Sequence, residues 1–274
     1  MAQSFIINNR DRVNFRQPVI GGIGEQHIIL AQFLMPVRIV PDVDILTDGP
    51  AAVLTVFNQI QHFIVLRYEL TPNNAGFILW GDSEALDELH QLIHFLVDES
   101  PLIEGKDGFM LSLAYDIRKA REGCRRTEQY EYESQDTYNI YGVELLWPLI
   151  LIQLALFRRS MSYIQVNKNH LSQMYSFEHI LESALKELIP ECWEDLIRIA
   201  KCAADSDFKS LEDSIDSRCC YFINLQPEAR KKQLRNILCS FDSLWGKYVR
   251  DKQDIKMLNE MNSTTWYWPE NITW

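Results

Sequence analysis

His90 and His94 stand four residues apart, and with Asp87 and Asp98 they form an Asp-x-x-His-x-x-x-His-x-x-x-Asp stripe. On a helix this spacing sets both imidazoles on one face, where they could chelate a metal with carboxylates orienting or ligating. The run is not His-Glu-x-x-His, and spacing alone identifies no third ligand. His90 and His94 are therefore weak metal candidates, and the plain alternative is a solvated helix border. Gly21-Gly22-Ile23-Gly24 follows the apolar Pro18-Val19-Ile20 and could cradle a phosphate on its amides. His27 stands where the third glycine of Gly-x-Gly-x-x-Gly belongs, and no Walker lysine follows, so a turn is expected there. Asp98-Glu99 with Glu104-Gly105-Lys106, or Asp116 with Lys119, faintly resemble the carboxylate–lysine sets of metal-dependent nucleases. No Gly-x-Ser-x-Gly elbow occurs, and Cys219-Cys220 is a vicinal pair rather than Cys-x-x-Cys. No catalytic residue is assigned, and no cofactor is implied.

Binding chemistry is better represented. Arg118, Lys119, Arg121, Arg125 and Arg126 crowd one stretch, and on a helix Arg118, Arg121 and Arg125 share a face opposite Ile117, Ala120 and Cys124. That face could dock an anion or an acidic partner. Glu128, Glu131, Glu133 and Asp136 follow at once and could neutralise it. Residues 265–274 are rich in aromatics, with Trp266, Trp268 and Trp274. Unprotected indoles on a free tail are unusual, so the tail either folds back on its own domain or docks a partner or second copy. Arg118, Arg121, Arg125, Trp266, Trp268 and Trp274 are accordingly the partner-binding candidates.

Charge narrows the partner. The net charge is −11, and residues 1–62, 63–160 and 161–274 contribute −1, −7 and −3. A chain negative throughout repels polyanions at long range, which counts against general nucleic-acid binding. The six cysteines suit reduced thiols in cytoplasm, because a chain of 274 residues needs no staples. Its opening residues also lack the basic and long apolar regions of a signal peptide. The most apolar run, residues 145–157, is too short to span a bilayer and is interrupted by Gln153, so a buried core helix is expected.

The elements that must position these residues follow from punctuation and period. Residues 1–60 read as short strands cut by Pro18, Gly24, Pro36, Pro41 and Gly49-Pro50. Residues 63–70 and 77–80 form a β-hairpin across Thr71-Pro72-Asn73-Asn74-Ala75-Gly76, and residues 84–99 have helical period behind the cap Gly81-Asp82-Ser83. Residues 109–114 read as a third strand, completing a β-β-α-β unit, and 115–123 as a following helix. Residues 127–138 lack period and read as an exposed connection. Long helices are then expected at 143–163, 172–189, 191–204, 208–223 and 228–249, with Pro227 at a favoured first position. The fold class expected is α+β: a small, mainly antiparallel sheet with a packed helix, followed by an all-helical C-terminal bundle. The division lies between a strand-rich region, 1–138, and a helical region with the aromatic tail, 139–274, unless the two form one continuous domain.

The middle of the chain resembles a bacterial family of uncharacterised proteins. The resemblance lies in residues 71–76, Trp80-Gly81-Asp82, Ser100-Pro101-Leu102-Ile103-Glu104, residues 115–120, Tyr141-Gly142-Val143-Glu144 and Leu146-Trp147-Pro148. It covers about residues 65–190 and implies a bacterial, cytoplasmic protein with no activity to carry over. The expected function is a non-enzymatic protein-interaction protein, of immunity or regulatory type, whose partner is another protein or a second copy, with no membrane. The alternatives are a metal-dependent hydrolase and a nucleic-acid accessory protein.

Overall fold

The computed structural model describes residues 66–131, 137–242, 244–263, 268 and 272–274, all within the unit Val53–Trp274. The strands expected in residues 1–60 and the Gly21–Gly24 turn lie outside these residues.

The first elements are β1 (Arg67–Leu70) and β2 (Gly76–Gly81), joined by the expected turn. The buried Thr71 closes it: its hydroxyl donates to the Gly76 carbonyl at 2.9 Å and accepts from the Gly76 amide at 3.0 Å. Asn74 adopts φ 57°, a left-handed conformation that asparagine tolerates. Then come α1 (Ser83–Glu99), α2 (Phe109–Arg121), β3 (Arg126–Glu131) and β4 (Thr137–Leu146). The helical part is α3 (Trp147–Ser160), α4 (Lys168–Leu188), α5 (Trp193–Ala203), α6 (Phe208–Asn224), α7 (Pro227–Cys239), the short α8 (Trp245–Tyr248) and α9 (Lys252–Ser263). The strands form one antiparallel sheet in the order β1-β2-β4-β3, so the α+β expectation holds.

Four expectations require correction. Residues 109–114 are not a strand but the first half of α2, which buries Met110, Leu113, Ala114, Ile117 and Ala120. Those positions repeat at helical spacing; a short apolar window hides that period. Residues 127–138 are not simply a connection, because β3 and β4 pair from Arg126↔Gly142 to Glu131↔Thr137. β3 is a polar strand at the sheet edge, and without apolar alternation it leaves no period-two signal. Residues 143–146 finish β4, and the helix starts at Trp147 with Pro148 in its first turn, the place where proline fits. The predicted helix 228–249 ends at Cys239; α8 and α9 follow, and the Asp251 carboxylate accepts from the Gln253 amide at 2.7 Å where α9 begins.

Alternation along the strands sorts their side chains. Phe77, Leu79, Val143 and Leu145 join the main core, while Ile78, Trp80 and Ile140 cluster on the other face. α1 starts on the Asp82 carboxylate, which accepts from the Ala85 amide at 2.7 Å, and buries Leu86, Leu89, Leu92, Ile93, Leu96 and Val97. Each such side chain stabilises the fold by about 1.5–3 kcal/mol. α3 is the most enclosed helix: every residue from Ile150 to Phe157 is buried, Gln153 included. It fulfils the expectation of a core helix, and no helix among the described residues is long and apolar enough to cross a membrane. The core cluster runs from Ala75 to Met261, and the 138/139 boundary drawn above falls inside β4.

Two predictions follow from this packing. A Cβ at Gly76 would lie 1.8 Å from the Leu145 carbonyl oxygen, because β2 crosses β4 closely there. Gly76→Ala is expected to destabilise the protein by about 3 kcal/mol or more, read as a drop in the urea midpoint. The Tyr68 hydroxyl donates to Glu187 at 3.0 Å, and burial first, then that hydrogen bond and charge, push Tyr68 up to about 12 from 10.0. The folded state thus holds this proton more tightly, so the contribution is complete below pH 10.0 and is lost as pH rises toward about 12. Tyr68→Phe should flatten the decline of the urea midpoint across that window.

Candidate functional site

A cleft of about 480 Å³ opens where α2, β4, α3, α6 and the tail meet. Its floor is apolar: Leu113 from α2, Leu145 from β4, Leu149 and Ile150 from α3, and Ile215 from α6. The direct passage of β4 into α3 at Leu146–Trp147 puts the strand and helix contributions side by side. Gln153 is the polar exception among the α3 residues of the lining. Its side-chain amide donates to the Phe109 carbonyl at 2.6 Å and the Ser112 hydroxyl at 3.2 Å, tying α3 to the first turn of α2 along the cleft wall.

Charge sits around this floor. Arg125 donates to Asp116 at 2.6 Å, and that hydrogen bond raises the already high pKa of the guanidinium. Arg126 donates to Glu144 at 2.6 Å. The third acidic lining residue, Asp216, has its carboxyl pushed up from the usual range by partial burial, opposed by a hydrogen bond from Trp268. Trp268, Ile272 and Trp274 complete the lining.

The tail reaches this position through Arg230, of which 1% is exposed. One of its terminal nitrogens donates to the carbonyls of Asn73 and Thr273, each at 2.8 Å. The other donates to the Ile223 carbonyl at 2.6 Å and the Thr273 hydroxyl at 3.3 Å. Ile223 lies in the last turn of α6, where unpaired carbonyls and the helix dipole favour a cation. Asn73 completes the clamp: its amide and side chain donate to the Trp274 carbonyl at 3.2 and 2.6 Å. Burial pushes the Arg230 pKa down, and no carboxylate among the described residues pairs with it.

Of the partner-binding candidates, Arg125, Trp268 and Trp274 converge on the cleft, and Trp266 lies outside the described residues. Arg118 and Arg121 point elsewhere. Arg118 is 3.9 Å from Glu122 and lies over the Tyr115 ring, and Arg121 pairs with Asp87 of α1. The three arginines therefore do not make one open face. Among the described residues their carboxylates are Asp87, Asp116 and Glu122, while Glu128 pairs with Arg67 at 2.9 Å. The His90 and His94 rings sit 4.5 Å apart, and burial, then His94 and Arg121, lower the His90 pKa. Among the described residues, no group of three or more His, Cys, Asp or Glu side chains could hold a metal. Lys106, from the suspected carboxylate–lysine set, donates to the carbonyls of Val97 and Ser100 at 2.5 and 2.9 Å, closing the end of α1. All six cysteines are free, and burial pushes the Cys219 thiol far up. Glu144 and Asp216 gave no signal in sequence; Gln153 was visible only as the break in an apolar run.

A family model described as a domain of unknown function, DUF6904, matches residues 66–274. The match continues past residue 190, where the resemblance seen in sequence stopped, and takes in the tail. No curated protein and no solved structure matches the chain.

The clamp yields a prediction. Arg230→Met leaves buried carbonyls without donors and is expected to cost about 3–5 kcal/mol in urea unfolding. Below the unfolding transition, the tryptophan emission should also shift to the red as Trp274 gains water.

Proposed function

The chain belongs to the DUF6904 family, and on the strength of its cleft we propose that it is a protein-interaction module and not an enzyme. The observation behind this reading is the convergence of Arg125 with Trp268 and Trp274 of the distant tail around an apolar floor. Tryptophan and arginine are the side chains that dominate the buried centres of protein interfaces.

The polar groups of the cleft suit docking better than turnover. Nucleophilic catalysis needs a nucleophile and a base within hydrogen-bond reach. In this cleft Asp116 and Glu144 are each engaged by an arginine, and the Cys219 thiol is held protonated by burial. His90 and His94 are not among the lining residues. The acidic surface and unpaired thiols fit a cytoplasmic, regulatory or immunity-type role, in which the partner is another protein or a second copy of this chain.

Photocrosslinking tests the reading. A benzoylphenylalanine at Leu149, on the cleft floor, is compared with one at Tyr163, which is 56% exposed and is not a lining residue. In an extract of the native host, Leu149 is expected to give one discrete adduct that the Tyr163 position does not give. Equal labelling at both positions, or no adduct at Leu149, overturns the proposal.

A further inference from the structure

We infer that the docked segment presents an arginine side chain to the cleft, with its guanidinium on Asp216 and against the Trp268 indole. This inference rests on the docking reading above and adds the chemistry of the partner.

Charge complementarity supplies the first argument. Asp116, Glu144 and Asp216 line the cleft, and among the described residues only the first two have a guanidinium of their own chain, Arg125 and Arg126. Among the described residues Asp216 forms no ion pair; its hydrogen bond comes from Trp268. The cleft is thus left one cation short, in a chain whose net charge is −11. Asp216 is an exposed residue, so its carboxylate is open to a cation from outside.

Shape supplies the second. The unpaired carboxylate stands beside an indole, and both border an aliphatic floor that includes Leu149 and Ile215. An arginine matches all three features. Its planar fork can bond a carboxylate while stacking on an aromatic face, and its methylene stem covers apolar surface. A lysine offers the charge without the stacking plane, and an acidic segment is repelled. The volume of about 480 Å³ exceeds one side chain, leaving room for apolar neighbours of the arginine.

The test uses the full chain, labelled with nitrogen-15, and follows the tryptophan indole N–H signals during titration. The Trp268 signal is assigned by its loss in Trp268→Phe. The probes are the peptides acetyl-Gly-Leu-Xaa-Leu-Gly-amide with arginine, lysine, citrulline or glutamate at the centre; citrulline keeps the shape of arginine without its charge. The arginine peptide is expected to shift the Trp268 indole and to bind about tenfold or more tightly than the citrulline peptide, with lysine between them. Asp216→Asn should bring the arginine peptide down to the citrulline level. Asp213→Asn, on the same helix but outside the lining, should change nothing.

Equal binding of the arginine and citrulline peptides overturns the inference. So does an unaltered arginine affinity in Asp216→Asn, or the absence of any indole shift up to about 10 mM peptide. The two proposals fail separately. A Leu149 adduct that persists undiminished in Asp216→Asn keeps the docking reading and removes the arginine, whereas no adduct in the parent chain removes docking itself.

Discussion

A buried guanidinium that pairs with no carboxylate among the described residues holds four separate parts of this protein in register. Arg230 meets the turn between β1 and β2 at Asn73, the end of α6 at Ile223 and the tail at Thr273, all from its own position on α7. A buried cation is costly, and an unpaired one more so. Here the cost is offset by carbonyl oxygens that would themselves be buried without donors, one of them at the negative end of a helix. The arrangement has specificity that apolar packing lacks: Met at this position could fill the space but could not select these oxygens.

The cleft depends on this clamp. Ile272 and Trp274 reach the lining because the chain is pinned at Thr273 by Arg230 and at Trp274 by Asn73. The opposite wall is set by different forces. There β4 runs without a loop into α3, and Gln153 reaches from that helix to the first turn of α2. A polar network on one side and a covalent junction on the other hold an apolar floor open between them. On the proposed docking reading such a surface receives a segment from outside, and Asp216, which forms no ion pair among the described residues, gives it a sign.

The same electrostatic logic explains why other charged groups stay quiet. Arg118, Arg121 and Arg125 looked like an anion-binding face as a list of residues, yet α1 and α2 pack so that Arg121 finds Asp87, while Arg125 folds back on Asp116. Partly exposed pairs of this kind contribute little stability, about 0–1 kcal/mol each, but they use up the charge that a ligand would need. Lys106 is spent in a comparable way on the end of α1.

Sequence alone determined the class of fold, the hairpin, the cap and apolar face of α1, and the burial of the run around Gln153. Each of those is written in residues close together along the chain, through turn chemistry or a helical period. Pro148 also marked the true start of α3, although the apolar run around it masked the signal. The edge strand β3 escaped because its pairing with β4 is the only thing that makes it a strand. Tertiary structure decided the site: Asp116, Glu144, Asp216 and Trp274 belong to four separate stretches, and nothing local foretells that they meet. It decided the role of Arg230 as well, since a basic residue in a polar helix reads as solvated until the carbonyls that surround it come together in space.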